Sequence, residues 1–195
     1  MSELGSRPAT DVVPAPEAAA RGRPRVWRLL AWGGLFLLLG ILALGVLRSQ
    51  QGPVAPGQSA PGFTLTTFGG EEISSSDLGG KVIVVNFWAS WCKPCEQEAA
   101  DLETAWKEYA PDGRVLFIGV DYVDTEPEAM AYLDKFAITY PNGPDLGTRI
   151  SQAFRMQGVP ETYVIDQNGE LTFVKKGPFN SIEEIRSASD PLLEP

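Results

Sequence analysis

Nineteen consecutive positions from Leu29 to Leu47 (LLAWGGLFLLLGILALGVL) carry no charge. As a helix this run spans about 28 Å, close to the roughly 30 Å hydrocarbon layer of a bilayer. Residues 1–28 have no hydrophobic period and read as a basic, disordered tail. Residues 48–60 are rich in Pro, Gly, Gln and Ser and read as a flexible linker. From residue 61 to 195, strand-like and helix-like runs alternate, which predicts one folded domain.

Within that domain, Phe63–Phe68 alternates weakly, as an edge strand would, and Gly69-Gly70 turns it toward Glu71–Ile73. Lys81–Trp88 (KVIVVNFW) is an apolar, β-branched run that predicts a central buried strand. A helix is expected from Cys92 to Tyr109, with Ala99, Leu102, Ala105, Trp106 and Tyr109 along one face, stopped by Pro111-Asp112-Gly113. Arg114–Asp121 reads as a second buried strand. Thr125-Glu126-Pro127-Glu128 reads as a capping box opening a helix to Ala137, and a shorter helix is expected over Leu146–Arg155. Thr162–Asp166 and Leu171–Lys175 flank an Asn-Gly turn, the signature of a hairpin, and Ser181-Ile182-Glu183-Glu184 is a second capping box. The order predicts an α/β domain whose sheet mixes strand directions.

Charge adds a topology. Residues 1–48 carry six basic and three acidic side chains, residues 49–195 ten basic and twenty-two acidic. Arg21, Arg23, Arg25 and Arg28 precede the apolar run, whereas only Arg48 closely follows it. The positive-inside rule then keeps the N-terminus cytoplasmic and exports everything beyond Leu47, as a single-pass protein of the cell membrane. The competing reading is a cleaved signal peptide. It requires an unusually long basic region, and the nearest candidate cleavage motif, Ala43-Leu44-Gly45, lies inside the apolar run. A retained anchor is the favoured reading. The acidic exported domain argues against nucleic acid as a partner, since nothing there would neutralise phosphates.

Composition then narrows the chemistry. The chain has no histidine and two cysteines, which excludes Ser-His-Asp and Cys-His catalysis, histidine-ligated zinc, copper or haem, and a four-thiolate metal site. No metal and no bound cofactor is expected. Both cysteines lie in Trp91-Cys92-Lys93-Pro94-Cys95, where the strong strand meets the first helix of the domain. That spacing puts them on one helical face, within reach of a disulfide. The free N–H groups and positive dipole end of a helix start stabilise a thiolate, with Lys93 adding positive charge. Cys92, at the outer position, is the candidate attacking thiol; Cys95, one turn in, is the expected more buried resolving thiol. A static clip across so short a loop would add little stability, so a redox role is the favoured reading.

VVNFWASWCKPC, the helix after it, Gly158-Val159-Pro160 and the TYVID hairpin resemble the thioredoxin superfamily. More narrowly they resemble the membrane-anchored TlpA/ResA/CcmG (DsbE) group of thiol:disulfide oxidoreductases, over residues 58–187, with Glu98 three residues after the second cysteine as part of the signature. The resemblance implies a thioredoxin-like fold with an N-terminal β-extension and a central insertion near Thr125–Pro141. It implies reduction of protein disulfides outside the cytoplasmic membrane, such as those of apocytochrome c during cytochrome c maturation. Electrons would come from a CcdA/DsbD-type membrane protein.

The resemblance also places individual residues. Val159-Pro160 matches a cis-proline loop that faces the dithiol and offers the Val159 backbone to a substrate segment. Glu161 is either a tuner of thiol acidity or partner binding, or an idle exposed loop carboxylate. Asp124 lies nearest the position of a glutamate in the strand-to-insertion loop; it either accepts the proton of Cys95 or caps the insertion helix. Trp91 would shield the dithiol and offer an apolar docking surface. Asn86 stands where thioredoxins carry a buried aspartate, and Ala100 where the group commonly has a helix-kinking proline, which leaves the burial of Cys95 open. Three other activities of the same fold stand as alternatives. A disulfide oxidase or isomerase is separated only by its reduction potential. A peroxidase lacks its P-x-x-x-T-x-x-C signature, Val85 and Ala89 occupying the Pro and Thr positions. A copper chaperone lacks C-x-x-x-C and histidine.

Overall fold

The structure, a computed structural model, describes residues 25–49 and 52–193. They divide into two units, one ending at Gln51 and one beginning at Gly52. The first unit is helix α1, Arg25–Ser49. Its apolar stretch Val26–Val46 has a mean hydropathy of 2.4 and is long enough to cross a membrane. The helix starts before the uncharged run because Val26 and Trp27 extend its apolar surface past Arg28. The tail expected over residues 1–28 lies outside the described residues as far as residue 24.

The second unit has the thioredoxin-like architecture. Strands β1 (Thr64–Thr66) and β2 (Glu72–Ser74) form an antiparallel hairpin, the expected N-terminal extension. A five-stranded sheet is built from β3 (Val82–Trp88), β4 (Val115–Asp121), β5 (Asn142–Pro144), β6 (Glu161–Ile165) and β7 (Leu171–Lys176), in the order β5-β4-β3-β6-β7. β3 pairs parallel with β4 and antiparallel with β6. Every residue of β3 is buried, as its unbroken apolar run requires of a strand covered on both faces.

Alternate β3 and β4 residues feed two cores. Ile83, Val85, Phe87, Ile118 and Val120 pack with Leu65 and Ile73 of the hairpin and with Ile150 and Phe154 of α4 (Arg149–Phe154). Val82, Val84, Val115 and Phe117 pack on the opposite face with Leu102, Ala105 and Tyr109 of α2 (Lys93–Tyr109) and Ile185 of α5 (Ile182–Ser189). Helix α3 (Glu126–Lys135) supplies the expected insertion and joins α2 on that second face through Ala129, Tyr132 and Leu133.

Four expectations change. Strand β5 was not legible: its Asn-Gly-Pro sequence opposes strand formation, and it exists because Gly119 N–H donates to Pro141 O and Phe68 N–H to Asn142 O. Gly143 fits only as glycine, since a Cβ there would lie 2.9 Å from the Thr67 Cα and closer still to the Thr66 carbonyl. The two capping boxes do not form. Thr125 Oγ1 donates to the Glu128 carboxylate rather than accepting a helix N–H, and Glu184 turns to Asn180 and Lys175. The expected helix over Leu146–Arg155 is one 3-10 turn, Leu146–Thr148, followed by α4. The linker, expected over residues 48–60, is seated on the domain in its second half. Val54 is buried, Gly57 N–H donates to Leu171 O, and Ala60 N–H to Gly169 O, so these residues cover part of the β7 edge.

Candidate functional site

The β3 strand delivers Ala89 to the start of α2, where Cys92 is the N-cap residue and Pro94 occupies the first turn. Cys92 and Cys95 are joined as a disulfide with Cα atoms 5.3 Å apart. The Cys95 N–H points at Cys92 Sγ across 3.2 Å, so one of the orphan donors of the helix start is aimed at this sulfur. Cys95 is 1% exposed and Cys92 3%. The expected contrast between an outer and a buried cysteine is therefore absent in the disulfide form, because both pack into one cluster with Trp88, Ala99, Ala129, Tyr132 and Leu133. Helix α2 runs unbroken through Ala100, so burying Cys95 needs no kink.

Lys93 does not direct its charge at Cys92. It is largely exposed and pairs with Glu96 at 2.9 Å, which also meets Lys135 of α3 at 3.3 Å. Trp91 stands out from the dithiol cluster with 58% of its surface exposed, its indole N–H donating to Val123 O. The Val159–Pro160 peptide bond is cis, Val159 packs against the dithiol cluster and Pro160 is buried.

Glu161 is not an exposed loop residue. It is buried as the first residue of β6, where it accepts from Gln157 N–H and the Tyr163 hydroxyl. Its carboxylate thus ties down the loop that carries Val159 and Pro160. Asp124 does not cap α3, whose N-cap is Thr125. It accepts from Ser90 N–H at 2.6 Å and Ser90 Oγ at 2.9 Å, and from Thr125 N–H at 2.9 Å. The carboxylate therefore clasps the turn just before Trp91 and Cys92.

Two buried acids held above the usual carboxyl range had no role assigned from sequence. Glu98, 1% exposed, accepts from Asn86 Nδ2 at 3.0 Å and from Phe179 N–H at 2.7 Å. Asn86 also donates to Thr162 Oγ1, so the position of the thioredoxin aspartate holds the head of a polar chain leading to Glu98. Burial pushes Glu98 up to about 7, against the pull of its two hydrogen bonds and of Lys175. A helical wheel carries the signal: Glu98 lies one turn after Cys95 on a face otherwise made of Ala99, Leu102 and Ala105. The second acid is Asp121, 2% exposed at the end of β4. Burial first, and then the charge of nearby Asp124, raise it to about 8. Its strand-end position gave no sequence signal. Among the described residues, no cluster of three or more potential ligands fit to hold a metal ion occurs.

Comparison with known proteins places this arrangement among relatives. Residues 56–174 match the AhpC/TSA family. The chain is 34% identical over 131 residues to the thioredoxin-like protein YneN of Bacillus subtilis, covering 67% of this chain and 76% of that one. It is 32% identical over 129 residues to the thiol-disulfide oxidoreductase ResA of Geobacillus kaustophilus, covering 66% and 74%. Among solved structures, a thiol:disulfide interchange protein of the thioredoxin family from Chlorobium tepidum superposes with a TM-score of 0.64 at 29% identity, over 73% of this chain and all of that one. StoA from Bacillus subtilis shares the fold at 22% identity, with a TM-score of 0.59 over 67% and 98% of the two chains.

Proposed function

The chain belongs to the AhpC/TSA family and is a thiol-disulfide oxidoreductase of the ResA type; from that premise we propose that it reduces protein disulfides outside the cytoplasmic membrane, held there by α1. The observation that carries the reading is the Cys92–Cys95 pair at the N-terminus of α2, with Val159, the residue before cis-Pro160, packed beside it.

In the reduced protein, Cys92 as thiolate attacks one sulfur of a substrate disulfide. A bond forms between Cys92 and that sulfur, and the second substrate sulfur leaves as a thiolate that takes up a proton. Cys95, once deprotonated, attacks Cys92 Sγ and releases the first substrate sulfur. The substrate gains two electrons and the Cys92–Cys95 disulfide is restored. Two electrons from a membrane donor of the CcdA/DsbD type then regenerate the dithiol. The Cys95 N–H favours charge on Cys92, and Glu98, one turn beyond Cys95, is the group placed to hold the proton of Cys95. The exposed Trp91 and the Val159 backbone offer the substrate an apolar contact and a strand-like edge. Trp91 is a docking contact in this scheme, since it stands clear of the dithiol cluster it was expected to shield.

The reductive direction has an electrostatic basis. A buried carboxyl one helical turn from Cys95 works against negative charge on that sulfur, which lowers the stability of the reduced form relative to the disulfide. Strong oxidants such as DsbA do the reverse and stabilise their reduced form. The acidic exported domain suits basic or neutral substrate segments, and apocytochrome c is the substrate the family relationship suggests.

Measuring the Cys92–Cys95 reduction potential tests the direction. A value near that of thioredoxin, about −270 mV, supports a reductase, and one near that of DsbA, about −120 mV, overturns it. In the same protein, Cys95→Ser should accumulate mixed disulfides with substrates while Cys92→Ser forms none. Full turnover by Cys92→Ser would sink the mechanism.

A further inference from the structure

Asn86 is the one non-hydrophobic residue of β3, and it is 3% exposed. Burying an amide costs stability unless its hydrogen bonds are made within the protein. By the two-residue period of a strand it shares the α2 face of β3 with Val82 and Val84. Its Nδ2 donates to Glu98 Oε1 of α2 at 3.0 Å and to Thr162 Oγ1 of β6 at 2.9 Å. Thr162 stands directly opposite Asn86 in the β3–β6 pairing, just beyond cis-Pro160 and Glu161. Both N–H groups of the amide are therefore used, and Thr162 fixes the way it faces.

Glu98 is gripped from a second side, where Phe179 N–H donates to its Oε2 at 2.7 Å. Each carboxyl oxygen thus has a donor, and neither donor titrates. An ionised carboxyl offers about four acceptor sites, so a proton can arrive at a remaining one without displacing Asn86 or Phe179. The carboxyl keeps its direction whether charged or neutral.

We propose that Asn86, oriented by Thr162, is a positioning residue for Glu98: its N–H aims the carboxyl and favours the carboxylate that takes up the proton of Cys95. Without it, a buried carboxyl left with the Phe179 N–H alone would favour its neutral form. The charges that act on Glu98 from neighbouring elements are Lys175 of β7 and Glu184 of α5, which pair with each other. Tyr132 of α3 and Tyr140 before β5 face it as neutral groups, raised above their usual range by burial. On α2 itself, Glu96 is paired with Lys93 and Lys135, and Cys95 lies one turn before. Strands β3 and β6 bring Asn86 and Thr162, neither of which ionises.

The proposal deepens the reading of Glu98 as holder of the Cys95 proton and rests on it, and two measurements on the full chain in detergent test them separately. In the oxidised protein the thiols do not titrate. NMR of isotope-labelled glutamate carboxyls then follows Glu98 free of Asp121, which changes in the same range. The Glu98 signal is the one lost in Glu98→Gln. Its midpoint should lie near pH 7 in the wild type. In Asn86→Leu it should lie about 1–2 units higher, through loss of one hydrogen bond to a charged group. Asn86→Asp keeps the shape of the amide, in case the apolar variant does not fold. The new carboxyl shares a proton with Glu98, so the last proton should leave above the wild-type midpoint. An unmoved midpoint in Asn86→Leu, or a last step no higher in Asn86→Asp, overturns the proposal. In the reduced protein, dipyridyl disulfide releases one coloured thiol when Cys92 attacks and a second when Cys95 resolves the mixed disulfide. The pH profile of the second release should move upward in Asn86→Leu, as the midpoint does. A second release that shifts in Glu98→Gln but not in Asn86→Leu overturns the positioning role. One that shifts in neither variant defeats the reading of Glu98 as proton holder, with the NMR midpoint still reporting on the hold of Asn86.

Discussion

Replacing Glu98 by glutamine should flatten part of the pH dependence of stability. Folding raises this carboxyl from 4.5 to about 7, with burial outweighing hydrogen bonds from Phe179 N–H and Asn86. Between those values the native state holds a proton that the unfolded chain has released. Stability from this group is therefore complete below about pH 4.5 and declines as pH rises, to vanish above about pH 7. A shift of about two and a half units corresponds to about 3 kcal/mol. Asp121 acts in the same direction, so the informative quantity is the difference between wild type and Glu98→Gln. Urea unfolding of the oxidised full chain, followed by tryptophan emission, measures it at intervals from about pH 5 to about pH 8. The amide cannot accept from both donors, which adds a constant, pH-independent cost of about 1–3 kcal/mol. Above that offset, the wild-type advantage should shrink by about 3 kcal/mol across the range. A difference that stays flat with pH would show that Glu98 keeps an ordinary carboxyl pKa, and would remove it as a holder of the Cys95 proton.

Gly119→Ala should cost about 3 kcal/mol in the same unfolding assay, because its Cβ would fall on Asn142 Oδ1 and 2.9 Å from Trp88 Nε1, breaking the buried bond between them. An unaltered unfolding midpoint would mean that β5 is not held by that bond. Glu161→Ala should lose about 2–4 kcal/mol by leaving the Tyr163 hydroxyl and Gln157 N–H without an acceptor. It should also slow exchange with a protein disulfide more than with a small one, since the loop it releases carries Val159; equal slowing of both would argue against a substrate-docking role for that loop.

What could be read from the chain beforehand followed the range of the interactions concerned. The all-buried β3 strand, the turn into α2 and the N-cap position of Cys92 are set within a few neighbours, and the apolar run KVIVVNFW followed by WCKPC displays them. Strand β5 could not be read, because Asn142-Gly143-Pro144 has no strand propensity and is made a strand by β4 and Phe68. The capping boxes failed for a related reason: Thr125 and Glu184 have partners that outcompete the backbone donors a box would use. Asp124 and Glu161 were singled out from the sequence, but Asp124 is not the helix cap and Glu161 is not the exposed loop carboxylate that local sequence allowed. Asp124 meets Ser90 thirty-four residues away, and Glu161 folds back on its own loop and on Tyr163. A carboxylate on a loop reveals its acceptor geometry only when the donors are known.

Those long-range contacts bear on how a chain without histidine handles protons at neutral pH. An unperturbed carboxyl is fully ionised there and cannot serve. Burial supplies the remedy twice. Glu98 is raised to about 7 on α2, and Asp121 to about 8 on β4, both by desolvation first. Both belong to the side of the sheet that carries the dithiol, where Trp88, Ala99 and Tyr132 exclude water. The formal charge of −9 counts both groups as ionised; with Asp121 protonated and Glu98 divided between its two forms, the domain presents less negative charge around the cysteines than its composition states. Near pH 7 a buried site without histidine thus still has one carboxyl, Glu98, divided between holding and releasing a proton. Replacing Glu98 by glutamine should therefore shift the pH profile of thiol–disulfide exchange, and an unchanged profile would exclude Glu98 as the holder of the Cys95 proton.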